Sequence, residues 1–244
     1  MPKLYKKDSF KDNCGFGLIA NLEGKPSRQI VINSIEALKS MTHRGGIGSD
    51  GKTGDGCGLM LNINKDFFVK TIKNEQNINL SNRFAIGQLF YFKDFTSVKS
   101  KIKKILNEEG LKLVTKRDVP IKKDILGHIA LDCIPNIYQI FIESNNNMSD
   151  EEFETALLQS RKFIEEIYLN DEKLYFCSFS AKTIIYKGLM LPSDIKNFYI
   201  DLQSKQFTSS ICVFHQRFST NTSPRWHLAQ PFRLLAHNGE INAI

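Results

Sequence analysis

Asn13-Cys14-Gly15-Phe16-Gly17-Leu18-Ile19-Ala20 lies near the start of this 244-residue chain. Residues 15–20 are small and apolar, which predicts a short strand. A single cysteine beside a glycine is usually a small buried residue. Cys14 has a second interpretation, because removal of residues 1–13 would turn its nitrogen into a terminal amine and its thiol into a candidate nucleophile.

A terminal amine is a suitable base for the thiol of Cys14. A free thiol has a pKa near 8.5, so only about 3% is thiolate at pH 7, and it needs a base. An α-amine has a pKa of roughly 7.7–8.0, so about 10–20% of it is unprotonated at pH 7. It can therefore take the thiol proton and later donate it to a leaving amine. In the uncut chain the same nitrogen is an amide and has no basic lone pair.

Two downstream motifs supply groups that complement such a nucleophile. The first, His215-Gln216-Arg217-Phe218-Ser219-Thr220, follows a predicted strand. Arg217 is either the partner of a buried carboxylate or a fork that binds a substrate carboxylate through two hydrogen bonds, with the Thr220 hydroxyl beside it. The second motif contains Asn238-Gly239, which is either an ordinary tight turn or a pair of donors for an oxyanion.

The remaining patterns predict a mixed domain of helices and strands. Ser27 is a candidate N-cap for a helix that runs to about Met41. Ser149 and Glu152 form a capping box ahead of an apolar-periodic run that reaches Ile167. Strands are predicted at 58–63, 84–92, 137–142, 211–214 and 232–237, and residues 174–179 and 183–186 are predicted to form a hairpin. Strand runs separated by a few long helices favour an α+β fold.

The glycine-dense stretch 44–56 invites comparison with a phosphate-binding loop. Gly51-Lys52-Thr53 resembles the end of such a motif, but the glycine spacing ahead of Lys52 is wrong and no clear strand precedes it. We therefore assign no phosphate site to this stretch.

Composition excludes several classes of protein. The net charge is +7, and the densest basic run, 99–104, fits the solvated face of a helix that ends before Gly110. No nucleic-acid-binding motif accompanies it, so we expect no nucleic-acid partner. No apolar run of about 18 residues is present, so we expect no membrane span. The five cysteines include no C-x-x-C pair, which argues against a disulfide scaffold or a metal site and favours the cytoplasm.

The motifs together resemble those of a known family. The chain is similar to the class II, N-terminal-nucleophile glutamine amidotransferases, and among them to the glutaminase domain of glutamate synthase large subunits. The resemblance covers the whole chain in order and spacing. It is carried by residues 12–17, 41–46, 50–58, 215–220 and 236–241, with Pro224-Arg225-Trp226 and 229–232 typical of the glutamate synthases.

The resemblance implies a four-layer αββα sandwich of two antiparallel sheets. It implies a propeptide at 1–13 and a catalytic domain at 14–244. Cys14 becomes the nucleophile, and Asn238 and Gly239 become the oxyanion hole. Arg217 becomes the clamp on the glutamine carboxylate. Arg44, in the His-Arg-Gly motif, lines the site near the nucleophile.

The implied reaction is hydrolysis of the L-glutamine amide to glutamate and ammonia through a thioester. In the whole enzyme, ammonia then meets 2-oxoglutarate in a synthase part that holds FMN and an iron–sulfur cluster. A small NADPH-dependent subunit or ferredoxin supplies the electrons there. The chain itself is expected to hold no metal.

The family's pattern continues beyond Ile244, with an aspartate that binds the substrate amine and the rest of the sheet. We therefore expect the fold to be incomplete at its C-terminus. Two alternatives stay open at this point. One is another class II amidotransferase, such as amidophosphoribosyltransferase or asparagine synthetase, against which the segment 224–232 argues. The other is a fragment without activity that binds glutamine or a partner subunit.

Overall fold

A computed structural model of the chain describes residues 15–145, 147–168, 174–217 and 223–233. Within these ranges eight strands form two antiparallel sheets of four strands. Sheet 1 contains, in spatial order, β1 (Phe16–Ala20), β8 (Ile211–Gln216), β2 (Cys57–Asn62) and β7 (Thr183–Gly188). Sheet 2 contains β4 (Leu111–Asp118), β5 (Asn136–Ser144), β3 (Phe84–Tyr91) and β6 (Leu174–Ser180).

Helices cover both sheets. They are α1 (Arg28–Ser40), α2 (Lys65–Gln76), α3 (Thr96–Glu108), α4 (His128–Asp132), α5 (Asp150–Ile167) and α6 (Ile195–Phe198). Helix α1 contacts β1 and β8 of sheet 1, whereas α3 contacts β4 and α5 contacts β6 of sheet 2. The order of layers is therefore α, β, β, α, which confirms the α+β sandwich expected from the sequence.

Helix α1 begins where its cap predicts. The Ser27 side chain accepts a hydrogen bond of 3.3 Å from the Ile30 amide, which satisfies one of the free N–H groups of the first turn. Val31, Ile35 and Leu38 recur at helical spacing and are fully buried. Their burial against sheet 1 provides most of the free energy that holds the helix in place.

Helix α5 has the predicted capping box. The Glu152 amide donates to Ser149 Oγ at 3.2 Å, and the Ser149 amide donates to the Glu152 carboxylate at 2.6 Å. Phe153, Leu157 and Ile164 are buried on the face that meets sheet 2. The reciprocal bonds and the apolar stripe define the same helix start, so the prediction is confirmed.

The basic run 99–104 lies on helix α3 as predicted. Its lysine side chains are exposed, whereas Val98, Ile102 and Leu106 are buried against sheet 2. The chain leaves the helix through Gly110, whose φ of +69° lies in the left-handed region that glycine tolerates. Helix α2 and strand β4 were not predicted, although Asn64 caps α2 by accepting a 2.9 Å bond from the Phe67 amide.

The predicted hairpin at 174–179 and 183–186 is wrong in its pairing. Both strands exist, but β6 pairs with β3 in sheet 2 and β7 pairs with β2 in sheet 1. The Ile185 amide donates to Ser178 Oγ at 3.2 Å, and the Ile185 carbonyl accepts from the Gln88 side chain at 2.8 Å. Side chains thus satisfy these two backbone groups, and the short connection at 181–182 carries the chain from sheet 2 to sheet 1.

A buried ionic network joins the two sheets. Arg117 on β4 donates two hydrogen bonds of 2.8 and 2.9 Å to Asp201. Its Nε and Nη2 atoms donate two more, of 2.8 and 2.9 Å, to Glu75. The Tyr186 hydroxyl on β7 donates to Asp201 at 2.9 Å and accepts from Gln139 on β5 at 3.2 Å. The hydrogen bonds to Asp201 and Glu75 raise the pKa of Arg117 despite its burial. The whole network connects sheet 2 to sheet 1 through polar contacts.

No helix in the described ranges has the length and apolarity that crossing a membrane requires.

Candidate active site

The ends of β1, β2 and β8 meet at one corner of sheet 1. The backbone N–H of Gln216 donates a hydrogen bond of 2.6 Å to the Gly15 carbonyl, and that of Arg217 donates one of 2.8 Å to the Gly56 carbonyl. The first residue after Cys14 therefore lies beside the residue that precedes Arg217. Cys14 itself lies outside the described residues, as do Thr220, Asn238 and Gly239.

Arg217 occupies a strained backbone position. Its φ is +92°, which residues with a side chain adopt rarely and at a cost of about 1–3 kcal/mol. Arg217 is exposed, and no ion pair joins it to a carboxylate within the described ranges. The interpretation of Arg217 as the partner of a buried carboxylate thus finds no support in this part of the chain, whereas a guanidinium open to solvent can receive a ligand.

Arg44 also lies close to Gly15. It ends a turn of 3₁₀ helix, Thr42–Arg44, and its side chain is half-buried. A Cβ placed on Gly15 would lie 3.7 Å from the Cβ of Arg44 and only 2.3 Å from the Gln216 carbonyl oxygen. The structure therefore brings Arg44 and the start of β1 together, and Gly15 is required for this close approach.

The stretch 44–56 folds back on itself. The Gly48 amide donates to the Thr53 carbonyl at 2.7 Å, and the Gly46 amide donates to the Asp55 carboxylate at 2.6 Å. An isolated bridge between Ile47 and Gly54 completes the loop. We call residues 44–56 the glycine loop. Its glycines allow two backbone segments to run side by side. The loop ends at Gly56, whose carbonyl accepts the hydrogen bond from the Arg217 backbone.

Asp50 holds the glycine loop together and was not singled out in the sequence. Its carboxylate accepts from the Thr53 hydroxyl at 2.6 Å, from the amides of Thr53 and Lys52, and from the Ile129 amide of α4 at 3.1 Å. The Thr53 hydroxyl and these amides hold the pKa of Asp50 well below its usual range. Since the amides of Lys52 and Thr53 already donate to Asp50, they are not available to a phosphate, in agreement with the sequence.

Besides the glycine loop, the segment 226–232 is held against sheet 1 by a buried lysine. Lys187 is completely buried on β7, and its ammonium donates to the His227 carbonyl at 2.8 Å and to the Tyr175 hydroxyl at 3.1 Å. The same ammonium lies 4.6 Å from the centre of the Phe232 ring. Burial lowers the pKa of Lys187 to about 8. The sequence signal that would have revealed it is a lone lysine within the apolar run 184–190.

Trp226 anchors the start of this segment. It is buried, and its indole N–H donates to the Ala130 carbonyl at 3.2 Å. A Cβ on Gly58 would lie 2.5 Å from the Gln230 carbonyl oxygen, so β2 and the segment are in close contact. The strand predicted at 232–237 falls mostly outside the described residues, and Phe232 and Arg233 are in no strand. In the sequence, this segment precedes the Asn238-Gly239 pair.

The described residues contain no group of three or more histidine, cysteine or acidic side chains arranged to hold a metal ion. Cys57, Cys177 and Cys212 are buried and Cys133 is exposed, all four as free thiols. This set does not fit an iron–sulfur cluster, and we assign no chemical step to one here.

Comparison with known proteins identifies the family. A family model described as "Glutamine amidotransferases class-II" matches residues 14–244. The chain belongs to the class-II glutamine amidotransferases. The match begins at Cys14 and includes the glycine loop, the segment 226–232, Arg217 and the Asn238-Gly239 pair.

Several curated proteins are similar to this amidotransferase chain. It is 41% identical over 246 residues to the glutamate synthase [NADPH] large chain of Azospirillum brasilense, covering 98% of this chain and 16% of that protein. It is 42% identical over 239 residues to the ferredoxin-dependent glutamate synthase 1, chloroplastic/mitochondrial, of Arabidopsis thaliana, covering 95% and 15%. It is 38% identical over 252 residues to the Bacillus subtilis glutamate synthase [NADPH] large chain, covering 100% and 16%. The chain thus spans about one sixth of the length of these relatives.

Proposed function

We propose that this amidotransferase chain is the glutaminase part of a glutamate synthase large subunit. The observation that carries the proposal is the 2.6 Å hydrogen bond from the backbone N–H of Gln216 to the Gly15 carbonyl. It brings the residue that follows Cys14 beside the residue that precedes Arg217. A nucleophile and a carboxylate clamp next to the paired ends of β1 and β8 would suit an amide substrate with an amino-acid head group.

In the proposed reaction, residues 1–13 are a propeptide whose removal leaves Cys14 as the first residue of a domain at 14–244. The free α-amine takes the thiol proton, and the sulfur attacks the side-chain amide carbon of L-glutamine. The carbon–nitrogen bond then breaks, the proton passes to the leaving nitrogen, and ammonia departs from a thioester. Water attacks the thioester carbon, which releases glutamate and restores the thiol.

The remaining site residues have assigned roles. Arg217 binds the substrate α-carboxylate through two hydrogen bonds, and this role is supported by its exposure and by the lack of a carboxylate partner in the part of the chain that the structure describes. Thr220 supplies a hydroxyl to the same head group, and Arg44 lines the site beside Gly15. The Asn238 side-chain amide and the Gly239 backbone N–H donate to the oxyanion, where the loss of one donor costs roughly 3–4 kcal/mol.

We place the second half-reaction outside this chain. There, ammonia and 2-oxoglutarate form glutamate in synthase domains of the same polypeptide, which are proposed to hold FMN and an iron–sulfur cluster. The electron donor is proposed to be either a small NADPH-dependent subunit or ferredoxin, since relatives of both names match the chain equally well. We propose the cytoplasm as the compartment; three of the plant relatives are named chloroplastic.

The experiment that tests the proposal combines a mass measurement with one substitution. We expect the full-length gene product to begin at Cys14 by intact mass. Cys14→Ala should abolish glutamate formation from glutamine and leave formation from ammonia unchanged, because only the glutaminase step uses the thiol. Cys133→Ala, which removes an exposed thiol elsewhere, is the matched control and should change neither activity.

A protein that retains residues 1–13 and is fully active as a glutaminase would contradict the terminal-amine base. Equal loss of both activities in the Cys14→Ala protein would contradict the division between the two half-reactions.

A further inference from the structure

The side chain of Gln216 is buried without hydrogen bonds. Gln216 is 0% exposed at the end of β8, and neither the nitrogen nor the oxygen of its side-chain amide has a partner among the described residues. Nearly all buried polar groups in proteins have partners, because an unmet one costs free energy. The amide therefore marks a place where another polar group is received.

Glycines bring this amide to the start of β1. The backbone N–H of Gln216 donates to the Gly15 carbonyl at 2.6 Å. A Cβ on Gly45 would lie 2.1 Å from Gln216 Nε2, so only glycine leaves room for the amide at that position. A Cβ on Gly15 would also lie 3.7 Å from the Cβ of Arg44. The side-chain amide of Gln216 thus lies between the start of β1 and the His-Arg-Gly motif of the glycine loop.

We propose that Gln216 is a positioning residue that holds the α-amine of Cys14 in the orientation in which it takes the thiol proton. This inference rests on the proposed function, in which Cys14 is the first residue of the mature chain. Cys14 is one peptide bond from Gly15, so its amine is the polar group that removal of residues 1–13 creates next to Gln216. The Oε1 atom accepts one N–H of the amine, which leaves the nitrogen lone pair for the thiol.

A neutral amide suits this task better than a carboxylate. A carboxylate would stabilise the protonated amine and raise its pKa, whereas glutamine orients the amine without favouring the proton. The charged or titratable side chains of the elements packed here are Arg44 and Asp55 in the glycine loop, and His215 and Arg217 around β8. The two arginines disfavour a protonated amine, and the Asp55 carboxylate is engaged by the Gly46 amide.

The test compares the pH dependence of glutamine hydrolysis among three variants of the full-length gene product. All are expressed with residues 2–13 deleted, so that removal of the initiator Met exposes Cys14, and intact mass verifies this start. We measure kcat and KM for glutamate release between pH 6 and 9. In the wild type, kcat/KM rises with pH as the α-amine loses its proton.

Gln216→Glu should move that rise to higher pH by about one to three units, which lowers kcat/KM at pH 7 by roughly 10- to 1000-fold. Gln216→Met fills a similar volume without hydrogen bonds. It should lower kcat at least roughly tenfold with KM nearly unchanged, because the carboxylate clamp is not altered. Gln29→Glu makes the same charge change on the exposed face of α1 and should leave the profile in place.

A Gln216→Glu profile that overlays the wild type, or a Gln216→Met protein with wild-type kcat, overturns the inference. If Gln216→Met does not fold by circular dichroism, the profile of Gln216→Glu decides, since that side chain has the shape of glutamine. Failure of the proposed function looks different. In that case the wild type shows no glutamine hydrolysis, or Cys14→Ala retains it.

Discussion

The backbone N–H of Arg217 donates a 2.8 Å hydrogen bond to the carbonyl of Gly56, and both residues have positive φ angles, +92° and +119°. Gly56 is the last residue of the glycine loop and adopts such an angle without strain, whereas Arg217 does not. The hydrogen bond thus uses an unstrained residue to hold a strained one. The orientation of the proposed carboxylate clamp therefore depends on the backbone of Gly56.

Gly56→Ala should weaken both the fold and the clamp. A Cβ at this position would lie 2.9 Å from the Cβ of Ala229 in addition to the unfavourable φ. We expect a loss of about 1–3 kcal/mol in the free energy of unfolding, measured in urea. We also expect a rise of roughly tenfold in KM for glutamine, which corresponds to about 1.4 kcal/mol of binding.

Gly24→Ala is the matched control for Gly56→Ala. Gly24 has a φ of +70°, and a Cβ added there would have no atom within 4 Å. The substitution therefore costs only the backbone strain, about 1 kcal/mol of the free energy of unfolding. Its KM should equal that of the wild type. If the two variants raise KM alike, the hydrogen bond to Arg217 has no special role.

Arg117→Met should strongly destabilise the domain. The substitution leaves the buried carboxylate of Asp201 without its cation, and we expect a loss of about 3–5 kcal/mol in the free energy of unfolding. Lys116→Met, on the neighbouring residue, breaks an ion pair whose acid, Asp118, is 71% exposed. That control should cost less than about 1 kcal/mol. Urea denaturation of the two proteins side by side checks the difference, and similar losses would refute a buried ionic contact between the sheets.

Lys187 predicts an unusual dependence of stability on pH. Burial lowers its native pKa to about 8, whereas the unfolded chain keeps a value near 10.4. Between these values the unfolded state binds more protons than the native state, so this lysine's contribution to the free energy of unfolding rises with pH. The rise is about 1.4 kcal/mol per unit, or roughly 3 kcal/mol in total.

The measurement subtracts the free energy of unfolding of Lys187→Met from that of the wild type at pH 7.5 and pH 10.5. The difference should grow by about 2–3 kcal/mol toward high pH. Lys182→Met, at an exposed position of the connection before β7, should show a constant difference. A constant difference for Lys187→Met as well would mean that the ammonium is not disfavoured by burial.

The cysteines should differ widely in their reaction with iodoacetamide. Burial raises the pKa of Cys177 and Cys212 to about 12 and raises that of Cys57 further, so these thiols are protonated and shielded in the native protein. The pKa of exposed Cys133 is also raised by partial burial. At pH 7 we expect Cys14 of the mature protein to react first and Cys133 more slowly.

Peptide mapping by mass spectrometry follows each cysteine over time, and urea-unfolded protein provides the reference in which all five react. Labelling of Cys133 ahead of Cys14 would argue against an activated thiol at Cys14.

Much of the local structure was predictable from the sequence. Ser27 and the Ser149–Glu152 box identified the starts of α1 and α5, because a cap and the helical spacing of buried residues act within a few positions along the chain. The strands β1, β2, β3, β5 and β8 were found from their apolar runs. Helix α2 and strand β4 were missed, since their polar and basic residues weaken the periodic pattern.

The sequence by itself determined the family, the nature of the candidate residues and the helix caps, since these depend on residue type and short-range spacing. The tertiary structure decided which distant segments meet. It assigned β6 and β7 to different sheets, brought Gly15, Gly45 and Gln216 together, buried Lys187, and gave Arg217 its strained backbone. These features depend on packing between residues far apart in the chain, where the available space and the unmet hydrogen bonds exist only once the sheets have assembled.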